Sequence, residues 1–190
     1  MLEEVDVTIC SLYDYSDIPE IMEEGESFFE NALKKARTVS EWTGETTIAD
    51  DSGLEVDALK GAPGIYSARY AGAGATDEAN IVKLLKDLNG ISAQERTGAF
   101  RCVLVLYHPG GHFQSFEGQW QGRIAEEPVG NGGFGYDPVF MVPDLSKTAA
   151  QLPPDLKNAL SHRAQAFRKL KTFLKETVIK RSGDKTTPST

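Results

Sequence analysis

Cysteine is scarce in this chain, long apolar runs are missing, and one end has no positive charge. Only Cys10 and Cys102 occur among 190 residues, too few for a disulfide framework or a four-ligand zinc site. No stretch of about 18 apolar residues exists, which excludes a membrane-spanning helix. Met1-Leu2-Glu3-Glu4 is acidic, where a secretory signal needs positive charge and then an apolar run. These absences make a reducing cytoplasm the expected compartment. Residues 1–33 hold ten acids and no Lys or Arg. A general nucleic-acid binder needs a strongly basic domain, and the net charge of −8 argues against one.

What is present reads as a globular domain, with 40% hydrophobic and 25% charged residues. A chain of this length buries roughly 70% of the surface it exposes unfolded, enough for a sizeable core. From Lys157 onward nine bases face only Glu176 and Asp184. An acidic front and a basic back suit one site with opposed charges, carboxylates for a metal and cations for an anion. Solvated helix faces explain many of the same charges.

Val5, Val7 and Ile9 alternate with polar residues as a strand does. Ser27 with Glu30 forms a capping box ahead of Phe29, Ala32, Leu33, Ala36 and Val39 at helical spacing, and Gly44 is the stop. Residues 46–49 read as a short strand, 50–53 as a turn, and 54–58 as a second strand. A helix is expected over 77–88, a strand over 100–107, and its partner over 113–120 after Pro109-Gly110-Gly111. A glycine-rich loop spans 129–138, a strand follows at 139–142, and a last helix region runs over 155–180. With no repeat and no linker, one α/β domain over 1–180 and a disordered polar tail over 181–190 are expected.

Three segments carry possible chemistry. Asp50-Asp51-Ser52-Gly53 puts adjacent carboxylates at the end of a buried strand, where repulsion and desolvation oppose them unless a cation is present. Mg²⁺ takes one or two such carboxylates plus substrate phosphates; a turn with Asp residues capping amides explains the same pattern. Gly130-Asn131-Gly132-Gly133-Phe134-Gly135-Tyr136-Asp137-Pro138 matches G-x-G-x-x-G formally, but a strand follows where a dinucleotide fold needs a helix. The loop can still wrap a flat ligand against Phe134, or be a wide turn. Lys157, His162 and Arg163 cluster near a helix entry. His162 and Arg163 point about 100° apart on a regular helix, so they converge only at its start. Asn31 and Lys35 share a helix face at i, i+4. Trp42 and Trp120 read as packing residues, and His108 and His112 as exposed loop residues.

Together these stretches, with Gly61-Ala62-Pro63-Gly64-Ile65-Tyr66-Ser67-Ala68-Arg69-Tyr70, resemble the inosine/xanthosine triphosphate pyrophosphatases, which remove noncanonical purine nucleotides. The motifs occur in the family's order over about residues 20–174. The chain matches that pattern from the family's second strand, at residues 1–9; the family's first strand, Ser/Thr-x-Asn-x-x-Lys loop and first helix have no counterpart before it, and the first lysine is Lys34.

The resemblance implies an elongated mixed β-sheet with flanking helices, two lobes around a nucleotide-binding cleft, and a homodimer. It implies Mg²⁺-dependent hydrolysis of ITP, dITP or XTP to the monophosphate and pyrophosphate. Asp51 would be the general base and a metal ligand, with Glu23 and Asp50 completing the metal site. Lys35 and Lys157 would meet phosphate or nucleotide, and Ser52 would line the pocket. Phe134, Gly135, Tyr136 and Asp137 would hold base and sugar, while His162 and Arg163 would read the 6-oxo group. The alternatives are a catalytically impaired homologue that binds nucleotide or dimerises without turnover, and a phosphatase of other small molecules. No nucleic-acid or membrane partner is expected.

Overall fold

The computed structural model describes residues 7–183, with side chains described as far as 177. Helix α1, Phe28–Thr43, starts where Ser27 Oγ accepts from the Glu30 N–H and ends at Gly44, left-handed at φ 74°. Such a cap stabilises a helix by about 1 kcal/mol. The Glu30 carboxylate turns back one residue further than a capping box requires, to the Glu26 N–H at 2.7 Å. Strand β1 is Thr47–Val56, α2 Asp77–Asp87, β2 Thr97–Tyr107, β3 Phe113–Ile124, β4 Phe140–Val142 and β5 Lys147–Thr148; α3 is Pro154–Leu160 and α4 His162–Gly183.

The α/β architecture with flanking helices agrees with the sequence reading. The described strands form one sheet in the order β1-β2-β3-β4-β5, antiparallel throughout rather than mixed. Central β2 is buried on both faces, which explains its nearly unbroken apolar run. Val103, Val105 and Tyr107 meet Phe28, Ala32 and Ala36 of α1. Cys102, Leu104 and Leu106 meet Ala166 and Leu170 of α4 on the other face. Leu54, Val56, Phe100, Trp120 and Phe140 continue the core toward Ile81, Leu84 and Leu88. Trp120 is buried as expected, whereas Trp42 is exposed and edge-on to Tyr15.

Three expectations need correction. Residues 50–53 are no turn: β1 runs unbroken and pairs with β2 from Thr47 to Val56. Gly53 serves close packing instead of a bend. A Cβ there would lie 2.6 Å from Ser67 Oγ and 2.8 Å from Phe28 Cε1. Gly53→Ala is therefore expected to cost about 1–3 kcal/mol through overpacking, read as a lower urea midpoint at unchanged slope.

Second, residues 7–11 form no strand; alternation makes a strand only where a partner supplies the ladder. Val5 lies outside the described residues. Third, the last helix region breaks at Ser161, which is extended at φ −60°, ψ 157°. Beyond it α4 continues through Gly183, past the start of the expected tail; residues 184–190 lie outside the described part.

Candidate active site

Ser161 is the break that builds the site. Its Oγ accepts from the Ala164 N–H at 3.2 Å, so His162 and Arg163 fall in the first turn of α4, the one position from which both can face a single ligand. Gly118 of β3 seats that turn. A Cβ at Gly118 would collide with the His162 carbonyl and come within 2.8 Å of the Ala166 nitrogen.

Beside this helix start lies a cavity of about 320 Å³, lined by Ser52, Leu54, Phe100, Phe134, Lys157, His162 and Arg163 among others. That is small-ligand size. His162 stacks on Phe100 with ring centroids 4.9 Å apart and planes 17° apart. Its Nδ1 is buried without a hydrogen-bond partner. Burial first, then the charges of Arg163 and Lys157, lower its pKa from 6.5 to about 3, so the ring is neutral at pH 7 and one of its nitrogens can accept. Arg163 and Lys157 lie over the Phe134 ring, 5.3 and 5.1 Å from its centroid. Lys157 pairs with Asp137, whose carboxylate also accepts from the Phe134 N–H at 2.8 Å. Tyr136 donates its hydroxyl proton to the Ser67 carbonyl at 2.8 Å.

A second cluster lies across β1. Lys35 Nζ is 2.7 Å from Asp51 Oδ1 and 3.1 Å from Glu23 Oε1, and Asn31 Nδ2 donates to Asp51 Oδ2 at 3.4 Å. Arg69 holds Glu23 twice, by its carboxylate at 3.4 Å and its backbone carbonyl at 3.1 Å. Burial raises the Asp51 pKa, and its bond to Lys35 only partly offsets that. Burial likewise opposes the charge on Lys35, but its bonds to Asp51 and Glu23 prevail and hold its pKa above the ordinary value.

The structure thus brings Glu23, Lys35 and Asp51 together, and separately Ser52, Phe134, Gly135, Tyr136, Asp137, Lys157, His162 and Arg163. Asp50 it does not bring to the first group. Neighbouring strand residues face opposite ways, and Asp50 bonds instead to Arg163 at 3.1 Å and Ser52 Oγ at 3.1 Å. The adjacent carboxylates are tolerated because each has its own cation on its own side of β1. Sequence reasoning missed Arg69, which holds Glu23, and Asp77, Asn80 and Phe100, which line the cavity. Arg69 sits inside a quoted motif without a role, and Asp77 follows Thr76 as an ordinary helix opening. Phe100 reads as core, and Asn80 is hidden among the polar residues of α2.

Glu23 and Asp51 supply hard oxygen donors that converge on one ammonium, a disposition that fits a divalent cation. Among the described residues no group of three or more His, Cys, Asp or Glu could hold a metal. A two-carboxylate site suits Mg²⁺, which draws its remaining ligands from water and phosphate.

The pocket offers aromatic faces and clustered donors; one residue along β1, the other group offers carboxylates and a lysine. A ligand with a flat ring at one end and anionic groups at the other has the same division. Residues 1–173 match the Ham1 family. A dITP/XTP pyrophosphatase of Shouchella clausii is 52% identical over 170 residues, covering 90% of this chain and 84% of the relative. One of Geobacter sulfurreducens is 51% identical over 174 residues, covering 92% and 87%. The structure of a HAM1 protein from Coxiella burnetii superposes with a TM-score of 0.81 at 44% identity, covering 87% of this chain and 89% of that one. The chain belongs to the Ham1 family.

Proposed function

We propose that this chain hydrolyses dITP, ITP and XTP to the nucleoside monophosphate and pyrophosphate. The observation that carries the reading is the sharing of β1: Ser52 lines the base-sized cavity, and Asp51, the next residue, belongs to the carboxylate–lysine cluster. A purine fits the cavity against Phe134 and Leu54. Arg163 and Lys157 donate to oxygen acceptors such as a 6-oxo group. Neutral His162 accepts from a ring N–H, which 6-oxopurines carry at N1 and adenine lacks. Buried polar groups left unpaired by the wrong base can reject an analogue by 10⁴-fold or more.

At the other end Lys35 offsets phosphate charge, and Asp51 orients the attacking water and accepts its proton. Its carboxylate is held in place by Lys35 and Asn31, as a positioned base requires. Glu23 and Asp51 would hold Mg²⁺, which when bound neutralises charge on the phosphates. Asp50 steadies Arg163 and stands apart from that ligand pair. Arg69 keeps Glu23, on an irregular segment, within reach of Lys35. We extend the reading to a cytoplasmic homodimer, the compartment and assembly expected from the sequence. Among the described residues no helix is long and apolar enough to cross a membrane.

The test is product release from dITP, XTP, GTP and ATP with Mg²⁺. Pyrophosphate is expected from dITP and XTP, with kcat/KM at least about 100-fold above that for ATP. Orthophosphate as the product, or nucleotide binding without turnover by folded protein, would overturn the reading.

A further inference from the structure

The ring expected to cover the purine is poorly held by its own surroundings. Phe134 is 62% exposed, so packing does not fix it. It sits in a loop whose glycines 130, 133 and 135 all have positive φ, and glycine backbones are freer than any other. Two side-chain carboxylates hold the amides at this point. Asp137, three residues away in the same loop, accepts from the Phe134 N–H at 2.8 Å. Asp77, the first residue of α2, accepts from the Gly135 N–H at 2.5 Å.

The two bonds differ in kind. Asp137 closes the loop on itself and moves with it. Asp77 comes from 58 residues earlier in the chain and stands on a helix start that Thr76 caps, its Oγ1 accepting from the Ala79 N–H at 3.2 Å. That helix is anchored in the core through Ile81 and Leu84. Asp77 also lines the cavity. A charged acceptor makes a stronger bond to an amide than a neutral one.

We propose that Asp77 is a positioning residue for substrate binding: it ties the Phe134–Gly135 peptide to α2 and so sets the aromatic ring over the pocket and over Lys157 and Arg163. The inference rests on the reading of this cavity as the purine site. An acid at the start of a helix also interacts favourably with the helix dipole, and that merely structural role has a different signature. It would lower stability and leave the loop and the substrate affinity alone.

The experiment compares Asp77→Ala, Asp77→Asn, Phe134→Ala and the Asp77→Ala/Phe134→Ala double variant in the full chain. The readouts are dITP kinetics, thermal stability and amide hydrogen exchange at Gly135. Asp77→Ala is expected to raise KM about tenfold, equivalent to about 1.4 kcal/mol, with kcat within about twofold. It should also speed exchange at Gly135 about tenfold. Asp77→Asn keeps an acceptor oxygen and should recover most of both losses. In the Phe134→Ala background, removing Asp77 should add little, because the ring through which it acts is gone.

A lower melting temperature with KM and Gly135 exchange at wild-type values would overturn the proposal. So would full additivity of the two alanine variants. A wild-type chain inactive toward dITP and XTP would count against the proposed function instead, and exchange at Gly135 would then decide the clamp without reference to turnover.

Discussion

Replacing Asp51 with asparagine is expected to lower kcat for dITP and XTP by about 10²- to 10⁴-fold, the usual worth of a positioned general base. Asparagine is nearly isosteric, and its oxygen still accepts from Asn31, but it cannot take a proton from water. Lys35 keeps Glu23 as a partner at 3.1 Å, so the cluster retains one ion pair. The base pocket lies on the other side of β1, and affinity for inosine 5′-monophosphate should stay within about threefold. Calorimetric binding together with pyrophosphate release separates the two effects. Retention of more than a tenth of the wild-type kcat would remove Asp51 from the role of base.

The second large effect concerns His162. Its folded pKa of about 3 lies below the ordinary 6.5, through burial and then the neighbouring cations. Above pH 6.5 the ring is neutral in both folded and unfolded chains and contributes no pH dependence. Between 6.5 and about 3 the unfolded chain binds a proton that the folded one refuses. Stability therefore falls with pH by up to about 1.4 kcal/mol per unit across that window. Denaturant unfolding of wild type and His162→Gln from pH 7 to pH 4 measures the difference, since the carboxylates common to both cancel. The wild type should lose about 2–4 kcal/mol more than the variant. Parallel curves would mean that His162 titrates near its ordinary value in the folded chain, and the exclusion of its proton by burial and by Arg163 and Lys157 would be overturned.

Both effects belong to residues that motif spacing had singled out, yet the reasons they work were legible to different degrees. Ser27 and Gly44 bracket α1 because capping is local chemistry. Asn31 and Lys35 meet Asp51 because an i, i+4 pair shares a helix face wherever the helix lies. The condition placed on His162 and Arg163, that they share a ligand only from a helix start, was also readable; that Ser161 breaks the helix there was not. Asp50-Asp51-Ser52-Gly53 misled as a turn. A glycine next to two acids is the local signature of a bend, while the close approach of Ser67 and Phe28 that demands Gly53 arises from segments distant in sequence.

Asp77 and Arg69 show the same division. Each has an ordinary local explanation, a helix opening and a surface cation, and each acquires its role from a partner 58 and 46 residues away. What this sequence determined by itself was therefore whatever depends on neighbours within one helical turn: the cap and stop of α1, the shared face of Asn31 and Lys35, and the residue types able to carry the chemistry. The tertiary structure alone decided how those residues divide. Strand alternation sent Asp51 to the lysine cluster and Asp50 to Arg163, and packing brought a helix start, a glycine loop and a carboxylate from α2 around one cavity. That residues 50–53 are strand at all, and which distant segments meet them, are properties of the folded sheet, and no spacing along the chain encodes them.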